Sequence, residues 1–184
     1  MILPIRAYGD PILKKKCRNI SADQPGLEQL IADMYETMYE SFGVGLAAPQ
    51  IGHDIRLFII DTNAFENKKT IGIKKTFINA VLIDEHGIEW DFEEGCLSIP
   101  KVREKIKRHP DIRIKYQDET FTWQEESFNG MPARVIQHEY DHIEGILFVD
   151  HLSALKKQLI KGKLVSISKG NIDVDYKMKF FLRK

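Results

Sequence analysis

Two histidines, His138 and His142, stand four residues apart in "RVIQHEYDHIEG", and Glu139 directly follows the first. Residues i and i+4 share one face of an α-helix, so both imidazoles can aim at one point. A carboxylate beside that point can take a proton from a metal-activated water. The pattern predicts a metal centre with a general base built in. One helix supplies only two ligands this way. A hydrolytic centre needs a third, with one position left for water.

The third ligand is not obvious. One zinc protease pattern reads HExxHxxGxxH. Gly145 fits it, but Phe148 occupies the place of the last histidine. Other zinc proteases use a glutamate on a later helix. After His142 the chain offers only Glu144, on the same helix, while His151, Asp150, Asp173 and Asp175 carry no supporting pattern. Upstream, "FEEGCLSIP" holds Cys96 at an irregular strand end. A thiolate with two imidazoles suits zinc or ferrous iron. The competing reading of Cys96 is a small buried apolar residue.

The elements around these residues are legible from periodicity. Leu27, Leu30, Ile31, Met34 and Met38 predict an amphipathic helix over 27–40. "GVGLAAPQIG" ends it with glycines and a proline. "IRLFIID" reads as a buried strand, and residues 62–75 read as a polar surface loop. "TFINAVLIDE", "IEWDFEEGCLSI" and "DIRIKYQD" predict strands divided at "EHG" and "RHP", and "ETFTWQEESF" predicts another. "PARVIQHEYDHIEG" predicts a helix, with Pro132 in its first turn and Gly145 as its cap. "ALKKQLIKGKLVSIS" begins as a basic helix. Beyond it Ile172, Val174, Tyr176, Met178 and Phe180 alternate with polar residues, which predicts a terminal strand. The set predicts an α+β fold, with mostly antiparallel β-sheets packed around a central helix carrying the HExxH motif. Residues 1–184 are expected to form a single catalytic domain, with 165–184 an extension ending in a strand.

Composition narrows the function classes. The 184 residues include 27 basic and 27 acidic side chains, a formal net charge of zero. Such a balance predicts no membrane partner and no sequence-specific nucleic acid. The opening "MILPIRAYGDPILKKKC" lacks the long apolar run of a secretory signal. Cys17 and Cys96 are therefore expected to be free thiols in a reducing compartment, the cytoplasm.

Over about residues 2–160 the chain resembles the peptide deformylases. Their motifs GxGLAAPQ, EGCLS and QHExDH stand complete and in order as "GVGLAAPQ" (43–50), "EGCLS" (94–98) and "QHEYDH" (137–142). The resemblance implies removal of the formyl group from the N-terminal formylmethionine of newly made polypeptides, with release of formate. It implies Cys96, His138 and His142 as ligands of one divalent metal, natively Fe2+, with Zn2+, Ni2+ or Co2+ able to substitute. Glu139 would be the general acid/base, and the Gln50 amide and the Leu97 N–H would meet the developing oxyanion. Gly45 would line the substrate groove, with Gly43, Val44 and Leu46 beside it. Phe92, Met131 and Val135 would form the methionine pocket, with Glu94 at the rim and Arg134 at the edge, its charge exposed. Arg103 would lie near the groove, and Arg108 would pair with Asp141. Transient ribosome contact is also implied, although the alternating tail departs from the long C-terminal helix of many members.

Two other functions make different demands. A zinc endopeptidase needs a third ligand after His142. A catalytically silent binding protein should have lost a ligand, Glu139 or Gln50. Phe148 and the "EGCLS" segment count against the first, and the second is opposed by all of these residues being present.

Overall fold

The computed structural model describes residues 1–66 and 71–181. The order is β1 (Ile5–Arg6), α1 (Leu27–Glu40), β2 (Gly45–Ala47), β3 (Leu57–Asp61), β4 (Lys74–His86), β5 (Trp90–Cys96), β6 (Ile99–Arg108), β7 (Asp111–Gln117), β8 (Trp123–Asn129), α2 (Gly130–Ile143), α3 (Ala154–Ser168) and β9 (Met178–Lys179). The main sheet is antiparallel in the order β2-β3-β4-β7-β8. β5 and β6 form a separate antiparallel hairpin, and β1 pairs with β9 in parallel. This is the expected α+β class. Among the described residues no helix is long and apolar enough to cross a membrane.

β3 is apolar at four successive positions because both its faces are covered. Phe58 and Ile60 pack with Ala133, Ile136 and Ile143 of α2, while Leu57 and Ile59 pack with Ile31, Met34 and Met38 of α1. The main sheet therefore lies between two helices. A third apolar cluster joins Ile99, Val102 and Ile106 of β6 to Ile160, Leu164 and Ile167 of α3. The helix with the two histidines lies over one face of the main sheet.

Three boundaries differ from the sequence reading. The expected loop over 62–75 holds a short 3-10 turn at Asn63–Phe65, and β4 already starts at Lys74. Residues 67–70 of that loop lie outside the described residues. "IEWDFEEGCLSI" is not one strand: it turns at Leu97–Ser98, and the charged stretch 99–108 returns as β6. Its alternation is masked by lysines and arginines, although Val102 and Ile106 are buried. The terminal strand is paired over two residues only. Ile172, Val174, Tyr176, Met178 and Phe180 are still less exposed than the residues between them, so the period of two records side-chain direction rather than a long ladder.

The main-sheet core turns on Phe77, which is fully buried and stacks on Phe58 with centroids 4.7 Å apart. Phe77→Ala is expected to cost about 3–5 kcal/mol of stability. Urea denaturation checks this, and an unchanged midpoint would contradict the packing.

Candidate metal centre and substrate cleft

Strand parity prepares one half of the site. Trp90, Phe92, Glu94 and Cys96 alternate along β5 and so share the face turned to α2. The ladder with β6 is regular from Trp90↔Arg108 to Gly95↔Arg103, then jumps to Cys96↔Ile99. The extra residues bulge out on β6, where Lys101 takes φ 58°. Cys96 thus ends the hairpin next to a tight turn.

Helix α2 prepares the other half. His138 and His142 lie one turn apart with ring centroids at 5.1 Å. The helix stops just past His142 in a Schellman cap: Gly145 N–H donates to His142 O at 3.2 Å and Ile146 N–H to Asp141 O at 2.9 Å. Gly145 takes φ 76°, and a Cβ there would meet the Lys14 carbonyl oxygen at 2.7 Å. The sequence reading of Gly145 as the cap agrees with this geometry.

The ligand atoms of Cys96, His138 and His142 all lie within 4.8 Å of one another, a group able to hold a metal ion. Cys96 Sγ is 3.3 Å from His142 Nε2. His138 Nδ1 lies 3.0 Å from Glu94 Oε2, which leaves Nε2 for the centre. Burial opposes ionisation of Cys96, but His142 and His138 outweigh it and bring the thiol down to about 5. Burial likewise opposes a charge on His138, yet hydrogen bonds with Cys96 and Glu94 raise it well above its ordinary value. These shifts favour a thiolate beside the two imidazoles, the form of the cysteine that ligates a metal.

Glu139 is buried, and its Oε2 has no hydrogen-bond partner among the described residues. Burial pushes its carboxyl up to about 7, against the pull of His138 and His142. Gly45 makes room for it, since a Cβ on Gly45 would sit 2.4 Å from Glu139 Oε1. Gln50 is oriented from behind. Its Oε1 accepts the Ala47 N–H at 2.8 Å, so its Nε2 faces Cys96 Sγ at 3.4 Å and Ser98 Oγ at 3.3 Å.

A cleft of about 690 Å3 opens over these groups. Gly43, Val44 and Gly45 form one bank, and Gly95, Leu97 and Arg103 the other. Phe92, Met131, Val135 and Arg134 line it too. Leu46 does not line it: strand alternation turns its side chain into the core beside α1, where it is fully buried.

Two further expectations are corrected. Arg134 is not exposed: it is 2% accessible. It donates to Glu94 Oε1 at 2.7 Å, to the Trp90 carbonyl at 2.7 Å and to the Ile106 carbonyl at 3.1 Å, and it lies over the Trp90 ring at 4.2 Å. Glu94 is not at the rim but buried beneath the cleft, where Arg108 also binds it at 2.7 and 3.0 Å. Arg108 reaches on to Asp141 at 2.8 Å, the pairing that the resemblance implied. Burial opposes the Glu94 charge, but His138 and Arg108 hold its carboxyl far below the usual range.

The sequence reading missed Ser98, the partner of Gln50, and the tail residues Val174, Asp175 and Tyr176, which also line the cleft. Ser98 was within reach, since it closes the "EGCLS" motif. No local signal marks the tail residues as part of the cleft.

Comparison with known proteins shows the family. The family model of polypeptide deformylase matches residues 2–158. The chain belongs to the peptide deformylase family. It is 57% identical to the peptide deformylase of Christiangramia forsetii over 98% of this chain and 96% of that one. It is 54% identical to that of Cytophaga hutchinsonii over the full length of both. The crystal structure of peptide deformylase from Thermus thermophilus superposes with a TM-score of 0.82 at 39% identity, covering 92% of this chain and 99% of that one. The Legionella pneumophila peptide deformylase gives 0.81 at 37% identity, covering 93% and 98%. The protein is a hydrolase of the metal-dependent deformylase family that removes the N-formyl group from nascent polypeptides. The endopeptidase reading is not favoured.

Glu94→Gln would leave buried cations without their counter-charge and should cost about 3–5 kcal/mol at neutral pH. The folded-state carboxyl titrates below its unfolded value. Its contribution is therefore complete above about pH 4.3 and declines as pH falls toward the folded value. Urea titrations of wild type and variant should differ less at pH 3 than at pH 7. An equal difference at both would contradict the assignment.

Proposed function

We propose that Cys96, His138 and His142 hold one divalent metal ion, natively Fe2+, and that Glu139, Gln50 and Leu97 carry out deformylation around it. The observation that carries this is the convergence of one thiolate and two imidazoles beside a buried carboxylate with an unpartnered oxygen. That donor set fits a first-row divalent ion, and Zn2+, Ni2+ or Co2+ would be accepted by the same ligands. A metal held there would activate water for attack near neutral pH.

The chain's own groups do the rest. Glu139, with its carboxyl near 7, can accept the water's proton at Oε2 and return it to the leaving amine. Gln50 Nε2 and the Leu97 N–H donate to the formyl oxygen as negative charge builds on it. Glu94 keeps His138 in one tautomer and one orientation. The edge of β2, with Gly43, Val44 and Gly45, accepts the extended substrate as an added strand. Phe92, Met131, Val135 and the Arg134 side chain surround the methionine side chain, and Arg103 faces the residues after it.

Residues 1–184 act as one catalytic domain, a reading supported by the pairing of β9 with β1. The same reading has the protein working in the cytoplasm, in transient contact with ribosomes, where formylated chains emerge. Exposed Leu155, Leu159, Lys161 and Lys163 on α3 support that contact.

The test is formate release from a formyl-methionyl peptide by protein purified without oxygen and loaded separately with iron, nickel, cobalt or zinc. Glu139→Ala should lose at least ~100-fold in kcat while retaining metal. Gln50→Ala should lose on the order of 100-fold or more. An active Glu139→Ala or Cys96→Ala variant would sink the mechanism.

A further inference from the structure

The family match ends at residue 158, yet one wall of the cleft comes from residues 174–176. The tail is fixed there from both sides. α3 leads into it, and β9 ties it to β1, with Ile5 N–H donating to the Lys177 carbonyl at 2.9 Å and Ala7 N–H to the Lys179 carbonyl at 3.0 Å. Ile172, Met178 and Phe180 pack against the α3 cluster. The period of two then turns Val174 and Tyr176 inward as well.

The Tyr176 hydroxyl donates to the Leu97 carbonyl at 2.8 Å. Leu97 lies in the turn between β5 and β6, where no strand ladder holds its peptide groups. Its surroundings are pinned instead. The Ser98 carbonyl accepts the Tyr8 N–H at 2.8 Å, and Ser98 Oγ accepts Gln50 Nε2 at 3.3 Å. The Leu97 side chain presses against Gly43, where a Cβ would meet its Cδ1 at 2.9 Å. Among the described residues, the Leu97 carbonyl has only the Tyr176 hydroxyl as donor and its N–H has no backbone acceptor.

We propose that Tyr176 is a positioning residue for the reaction: by holding the Leu97 carbonyl it sets the direction of the Leu97 N–H that meets the oxyanion. The inference rests on the reading of Leu97 as an oxyanion donor. The N–H and the carbonyl of one residue are joined through a single Cα, so only two soft dihedrals separate them. Cys96, at the end of the ladder, fixes one side, and Tyr176 fixes the other. Without the hydroxyl the carbonyl is free to swing toward water, and the N–H turns with it. An oxyanion donor works by being preorganised, so the loss falls on the chemical step more than on substrate binding.

Tyr176→Phe keeps the ring in the wall and removes only the bond. With formyl-methionyl peptide and the iron- or nickel-loaded full chain, kcat should fall about tenfold, a fraction of the loss on deleting a donor outright. KM, metal content and melting temperature should stay at wild-type values. In 15N spectra the Ser98 amide, which shares its peptide group with the Leu97 carbonyl, should shift, and so should Leu97. An unchanged kcat overturns the proposal, whether or not KM rises, because Tyr176 would then only line the wall. A fall in kcat that tracks lost metal or a lower melting temperature overturns it too. If wild type releases no formate, the reading of the site fails first. If wild type is active and Tyr176→Phe equals it, the proposal alone fails.

Discussion

A single buried carboxylate constrains the arrangement of the site. Glu94 meets Arg108, Arg134 and His138 within 3.0 Å, with little exposure to water. A charge in such a place is costly unless it is paired and fully hydrogen-bonded. The cluster is thus better understood as a locating device than as a source of net stability. It requires β5, the end of β6 and α2 to meet at one point. Once Glu94 is placed, the strand carries Cys96 two residues further along the same face, opposite the histidines. The network continues through Arg108 to Asp141 and from there to His151, at 2.8 Å, near the surface. The helix is held at both Arg134 and Asp141, which flank His138 and leave His142 one residue beyond.

The cleft is the line along which two sheets fail to join. β2 is the edge of the main sheet, and the β5–β6 hairpin stands apart from it. An edge strand left open is ordinarily a hazard for aggregation. Here the opening is narrow and walled, with Gly43–Gly45 on one side and the Cys96 turn on the other. The same geometry that leaves main-chain groups of β2 unpaired lets an extended peptide lie within reach of Glu139. Gly45 is small because the carboxylate occupies the space a side chain would fill.

Much of this was legible in the sequence, and the exceptions share a cause. The helices α1 and α2 announce themselves because an amphipathic period is a local property. The HExxH pair is local too, and the cap at Gly145 follows from one residue's freedom at positive φ. Arg134 was misjudged because burial of a guanidinium is decided by a partner forty residues away, at Glu94. Leu46 was misplaced because a motif names consecutive residues, whereas a strand sends them to opposite faces. β6 was overlooked because its outward lysines and arginines outnumber its inward Val102 and Ile106. The tail's alternation was read correctly as direction but overextended as pairing, since side chains can alternate without a neighbouring strand. The alternation gave the direction of Tyr176 but not its partner, a carbonyl seventy-nine residues upstream.

The shared face of Trp90, Phe92, Glu94 and Cys96 sets a rule for which lengths of this segment can survive. A strand distinguishes only odd from even. Removing or adding one residue between Glu94 and Cys96 would send the thiol to the opposite side while the carboxylate stayed with its cations. A change of two residues would keep the side and merely shift the reach. The hairpin should therefore tolerate drift in length unevenly. A single-residue gain or loss beside the cysteine would cost the site its thiol, whereas the turn at 87–89, between the two strands, answers to no such arithmetic.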